Sequence, residues 1–140
     1  MRVALVVSWL NQYGGAERVL EVLHGLFPLA PVHTSIYRAQ AMPASYGAWS
    51  IRTSFMQHLP FVTTRHQLFL PLYPLAFERM DLSGYDLVIS DTSAFAHGVR
   101  VAPGAIHICY CLTPARFLWD YEGYVQSEQI GRLARATLPL

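Results

Sequence analysis

The residues able to do chemistry in this 140-residue chain gather at three places along it. Gly14 and Gly15 stand before Ala16, Glu17 and Arg18 at the start of a helical pattern. Ser90, Asp91, Thr92 and Ser93 follow an apolar run, with His97 a little further on. Thr113, Arg116 and Asp120 follow Cys111. Glycines that open a helix leave backbone N–H groups free at a terminus of partial positive charge, which suits phosphate or carboxylate. The same glycines would also serve a tight turn where the helix packs on a sheet, and both readings are open. Arg116, within one turn of a predicted helix start, is the best-placed anion ligand, with a surface salt bridge as its alternative. Asp91 and Asp120 are polar site candidates without a partner carboxylate, and Asp91 also fits a cap for the turn after it.

Other chemistries find no support. His107, Cys109 and Cys111 alternate in a predicted strand, where same-face neighbours lie about 6.6 Å apart, too far for three tetrahedral ligands to converge. Buried, reduced thiols are expected there, and no metal site. His33 and His107 are expected as buried, hydrogen-bonded strand residues, and His24 as a packing or surface residue of the first helix. The Gly-x-Gly-x-x-Gly dinucleotide fingerprint is absent, no acidic residue stands near position 36 to hold a ribose, and no nucleophile elbow occurs. All ten basic residues are arginine, so a P-loop lysine and a Schiff-base lysine are excluded. A net charge of +1 without a basic cluster offers nothing for nucleic acid.

The elements that must position these groups alternate. Val3 to Val7 reads as a strand buried on both faces, and Val19, Leu20, Leu23, Leu26 and Phe27 recur at helical spacing. Further strands are expected at Val32 to Tyr37, Ile51 to Phe55, Tyr85 to Ser90 and Ala105 to Tyr110. Residues 65 to 79 read as two helical pieces around Pro71 and Pro74, and Asp81 to Gly84 as a turn. Thr92 to His97 starts a short helix closed by Gly98. Further helices are expected from Thr113 and over Gln126 to Ala136. Strands alternating with helices predict an α/β, Rossmann-like domain with a largely parallel sheet. In such a sheet ligands bind beyond the carboxyl ends of the strands. The exits Ser8 to Gly15, Ser90 to Ser93 and Cys111 to Arg116 would then open on one edge.

Length predicts a single domain over residues 1–140. Its 53% hydrophobic and 14% charged content, with mean hydropathy +0.27, is apolar for a free-standing domain. Either a face docks on another domain or the chain rests on a membrane. No apolar run reaches the roughly 18–20 residues of a membrane span. The stretch Leu68 to Phe77 comes nearest, and it is the segment a peripheral membrane contact would use. The N-terminal run is short and lacks a small-x-small cleavage site, so a cytoplasmic chain is expected, with the inner face of the membrane open as a location.

Four motifs stand in order: Gly14-Gly15-Ala16-Glu17-Arg18-Val19-Leu20, Arg52-Thr53-Ser54-Phe55, Tyr85-Asp86-Leu87-Val88-Ile89-Ser90, and Cys109-Tyr110-Cys111-Leu112-Thr113-Pro114-Ala115-Arg116-Phe117-Leu118-Trp119-Asp120. From Arg2 to about Tyr124 the chain resembles the N-terminal half of a family 4 glycosyltransferase, whose two Rossmann-like domains form the GT-B architecture. The resemblance implies transfer of a sugar from a nucleotide diphosphate sugar to a glycan or lipid-linked acceptor, with retention and without a cofactor. It implies that Gly14 and Gly15 lie near the donor diphosphate or the acceptor. The substrate-binding positions are then Gly14, Gly15, Glu17, Ser90, Thr92, His97, Thr113, Arg116 and Asp120.

In that family the nucleotide-sugar pocket belongs to a second domain, which these residues do not match. The expectation is therefore an acceptor-side fragment that works with a C-terminal donor-binding domain or a companion chain. Leu112 stands where relatives usually carry histidine, Val7-Ser8 where they often carry His-Asp, and Ser93 and His97 where histidine and lysine are usual. These departures, with the apolar composition, carry the alternative: a non-catalytic binding or interaction domain on the same fold.

Overall fold

The computed structural model describes residues 1–113 together with Asp120 and Gly123. Five strands form one all-parallel sheet: β1 (Val3–Val7), β2 (Val32–Thr34), β3 (Ile51–Thr53), β4 (Leu87–Thr92) and β5 (Ile106–Cys111), in the order β3-β2-β1-β4-β5. The domain is α/β and Rossmann-like, as the alternation of elements predicts. The chain winds outward from β1 to β3, then returns to lay β4 against the other side of β1. The strand order thus reverses between β1 and β4, and at such a switch point the loops leave in opposite directions and a crevice opens.

Register assigns the faces. Leu5, Val7, Val32, Leu87 and Ile89 point to the side covered by α1 (Gly15–Leu26), where Leu10, Leu20, Met42 and Tyr46 complete a buried cluster. Ala4, Val6 and Val88 point the other way, against Ile36, Met56, Leu70, Tyr73 and Phe77. Both faces of β1 are therefore dry, and its unbroken apolar run follows from that.

The second face is closed by the proline-broken segment. Residues His66–Leu72 form a 3-10 helix containing Pro71, and α2 (Tyr73–Glu78) begins with Pro74 in its first turn. A proline cannot donate to the preceding turn and crowds the carbonyl four residues back, so the helix restarts instead of running through. Leu70, Tyr73, Ala76 and Phe77 are all buried in the core, while Leu75 is 38% exposed. Among the described residues no helix is long and apolar enough to cross a membrane.

Several boundaries differ from expectation. β2 ends at Thr34 because Ser8 and Ser35 kink out of register, the Ser35 Oγ donating to the Ser8 carbonyl. Pairing resumes at Leu10 and Tyr37. β3 ends at Thr53, before the expected Phe55. β4 starts at Leu87 and runs through Asp91 and Thr92, further than the expected Ser90. The helix expected over Thr92 to His97 is only a 3-10 turn, Ala96–Gly98.

Cys109 and Cys111 are free and exposed, contrary to the expectation of buried thiols. Among the described residues β5 has a neighbour on one side only, and a strand at the end of the order leaves its side chains open. The helices expected from Thr113 and over Gln126 to Ala136 lie outside the described residues, apart from their isolated positions Thr113 and Asp120.

Candidate functional site

The crevice between β1 and β4 gathers the first two polar strand exits. On the α1 side, Gly14 is the residue before the helix and has an extended backbone, φ −156°. Any residue adopts that angle, so the conformation does not call for glycine there. A Cβ on Gly15 would meet nothing within 4 Å, so the space in front of the helix start is open. Glu17 turns back to this start, and its Oε2 accepts from the Gly14 N–H at 2.7 Å. Half of a capping box is thereby built, and the chain's own carboxylate occupies one N–H at the helix start. Glu17 is buried, and desolvation raises its pKa above the usual carboxylate value despite that hydrogen bond. Tyr46 buttresses the turn by donating its hydroxyl to the Glu17 carbonyl at 3.1 Å.

Asp91 lies on the same side. Its pairing with Val7 places it at the end of the Leu87–Ile89–Asp91 row, facing α1. It is 1% exposed, and neither carboxyl oxygen has a hydrogen-bond partner. Burial pushes its pKa up to about 7, with the nearby Glu17 carboxylate adding to the shift. A carboxyl poised near neutrality is able to give or accept a proton, which marks it as a candidate site group. Its other sequence reading, a cap for the following turn, is overturned. Thr92 does that work, its Oγ1 accepting from the N–H groups of Ala94 at 3.0 Å and Ala96 at 3.2 Å.

The opposite face of the crevice is tied shut by hydroxyls. Ser8 Oγ and Thr92 Oγ1 are 2.9 Å apart and buried. Beyond them, the loop after β1 is held to the core by Asn11, whose Nδ2 contacts the Thr63 carbonyl at 3.1 Å and His66 Nδ1 at 2.9 Å. Trp9 packs on His66 and on Tyr73, with ring centroids 5.0 and 5.5 Å away. The loop that carries Gly14 and Gly15 is therefore anchored before it reaches them.

The remaining site positions divide. Ser90 points into the second face, where its Oγ meets His107 Nε2 at 2.9 Å, so it is one step inside the edge. His107 is accordingly hydrogen-bonded, although half-buried, and His33 is buried and meets the Tyr85 hydroxyl at 3.2 Å. His24 stacks on Trp49 at 4.0 Å. His97 is exposed on the turn after β4. Leu112 leaves β5 with its N–H donated to the Thr92 carbonyl at 3.1 Å, so it reaches the same edge. Thr113 follows it and is exposed. Asp120 accepts from the Gly123 N–H at 3.1 Å, and Arg116 lies outside the described residues.

Gly14, Gly15, Glu17 and Thr92 are thus brought to the crevice, together with Asp91. The sequence signal for Asp91 is an acid closing an otherwise apolar run, but only the pairing with Val7 shows which way it points. Among the described residues, no three His, Cys, Asp or Glu side chains are grouped to hold a metal ion. No protein-family model, curated protein or solved structure matches this chain.

Proposed function

We propose that the chain forms the acceptor-side wall of a retaining glycosyltransferase. It would help move a sugar from a nucleotide diphosphate sugar to a glycan or lipid-linked hydroxyl, with a second domain or companion chain supplying the nucleotide pocket. The observation that carries this reading is the open space at Gly15, the first residue of a twelve-residue helix, on the same side of the sheet as Asp91. In this reading the N–H groups of the first helical turn, which lack intrahelical acceptors, receive phosphate charge. The Asp91 carboxyl is buried beneath α1, so it touches no substrate and acts through the neighbouring Glu17 at the helix start. The four ordered motifs point the same way.

The test is nucleotide release from a panel of nucleotide sugars by the chain joined to any contiguous coding sequence or mixed with its companion chain. A Cβ at position 15 meets nothing within 4 Å, so Gly15→Val should narrow the open space and lower release at least about tenfold, with circular dichroism checking that the fold is kept. Wild-type turnover by G15V, or no release by any such assembly, would end this reading.

Leu112 favours a second reading. It stands at the carboxyl edge beside Thr92 and supplies neither hydrogen bond nor charge, as in a binding domain that kept the fold without the chemistry. Robust release with Leu112 in place excludes that reading, whereas activity only in Leu112→His supports it.

A further inference from the structure

Arg52-Thr53-Ser54-Phe55 has no task in glycosyl transfer as read above. With the end of α2 it lines a groove of about 490 Å³ on the sheet face opposite α1. Arg52 and Arg79 both line this groove, together with buried His33 and exposed Asp81. We propose that the groove is an oxyanion site that takes a phosphate or pyrophosphate group.

Charge balance leads to this assignment. The Asp81 carboxylate offsets one of the two guanidinium charges and leaves the groove net positive, while its Oδ1 is taken up by its own turn, accepting from Ser83 Oγ at 2.6 Å and from the Ser83 N–H at 3.1 Å. Among the described residues the one ion pair joins Arg100 to Glu78, so neither groove arginine has a carboxylate partner among them. Two guanidinium groups in one concavity repel each other, and an oxyanion between them relieves that repulsion through charge-assisted hydrogen bonds.

Both arginines are exposed, and Arg52 is also held in place. Arg52 Nη1 donates to the Tyr85 hydroxyl at 3.3 Å. That leaves the phenol proton for His33 Nε2 at 3.2 Å, and the two rings meet edge to face at 5.6 Å. Arg79 follows the last residue of α2, where the helix's partial negative charge favours a cation. Phe55, Ala76 and Met80 supply apolar wall for the organic part of a phosphate ester. Burial and the Arg52 charge outweigh the opposing pull of Asp81 and hold His33 neutral, with a pKa of about 4, so an anion in the groove must draw it upward.

The groove lies on the far side of the sheet from Asp91, toward the β3 edge, and its assignment stands whether or not the chain takes part in glycosyl transfer. A soluble phosphate ester and a lipid headgroup present the same chemistry, and the experiment separates them. The full chain is titrated with inorganic phosphate and pyrophosphate while the His33 ring is followed by NMR, and is also sedimented with phosphatidylcholine vesicles with and without phosphatidylglycerol. Saturable binding is expected, with the His33 midpoint rising by about one pH unit or more. Arg52→Gln and Arg79→Gln should each weaken binding at least about tenfold, Arg52→Lys should recover part of it, and Arg38→Gln should change nothing. Sedimentation with the anionic vesicles that pyrophosphate competes away assigns a lipid source. Soluble binding without sedimentation assigns a free phosphate compound. Absence of any saturable response, or unchanged binding by both arginine-to-glutamine variants, overturns the site.

Discussion

Replacing Asp91 by asparagine should change how the stability of this protein depends on pH. The buried carboxyl has its pKa raised to about 7 from an ordinary 3.8, and none of its oxygens is hydrogen-bonded. Below pH 3.8 the group is protonated in both folded and unfolded chains and carries no penalty. Between there and 7 the unfolded chain releases a proton that the folded chain keeps, so stability falls as pH rises, and above 7 the loss is complete. At about 1.4 kcal/mol per pH unit the full cost is about 4 kcal/mol, a large share of a typical domain stability. Water entry on ionisation lowers that figure, and about 2–4 kcal/mol is the expected range.

Two histidines work in the opposite sense over an overlapping window. His33 and His66 are both lowered by burial to about 4, so their contribution rises with pH from about 4 to 6.5. Asp91→Asn leaves those terms in place and removes the carboxyl together with its coupling to Glu17. Urea unfolding of both proteins, followed by tryptophan fluorescence at intervals from pH 4 to 8, isolates the difference. The buried amide adds an offset independent of pH. The variant should gain about 2–4 kcal/mol on wild type between pH 4 and pH 8. A difference flat to within about 0.5 kcal/mol across that range would refute the claim that Asp91 is buried without a partner.

Three further outcomes follow from the same geometry. His33 and His66 should titrate with midpoints near 4 by NMR, and a midpoint near 6.5 for either would mean its burial is not as described. Thr92→Val leaves two N–H groups and the Ser8 hydroxyl without their partner, so chemical denaturation should show a loss of about 2–4 kcal/mol, with Ser8→Ala costing less. A cost under about 0.5 kcal/mol for T92V would argue against that cap. Cys109 and Cys111 should both react with a maleimide in the folded protein without denaturant, and protection of either would contradict its exposure at β5.

Local patterns were enough for the elements. An unbroken apolar run is satisfied by burial on both faces, and β1 lies in the middle of the sheet with both faces covered. Glycines followed by apolar residues at helical spacing led to α1, and the two prolines at 71 and 74 marked where a helix has to restart. From alternating strands and helices the parallel sheet followed, and with it the edge where polar exits gather. The same patterns sent Gly14, Gly15, Asp91 and Thr92 toward that edge, while Glu17 entered only through the family resemblance.

What each of those residues does there was decided by the tertiary structure. Residue type makes Asp91 a plausible cap, but register with Val7 turns it under α1 and away from every donor, while Thr92 caps the turn. An alternating strand makes cysteines look buried, yet the strand order puts β5 outermost, and exposure depends on what lies over a strand. His33, Arg52 and Arg79 are up to 46 residues apart in sequence and meet only because β2, β3 and α2 converge on one face. Periodicity is a property of neighbours along the chain, so the sequence by itself determined the elements and their exits. Burial, hydrogen-bond partners and charge balance are properties of neighbours in space, and only the packing of the sheet supplied them.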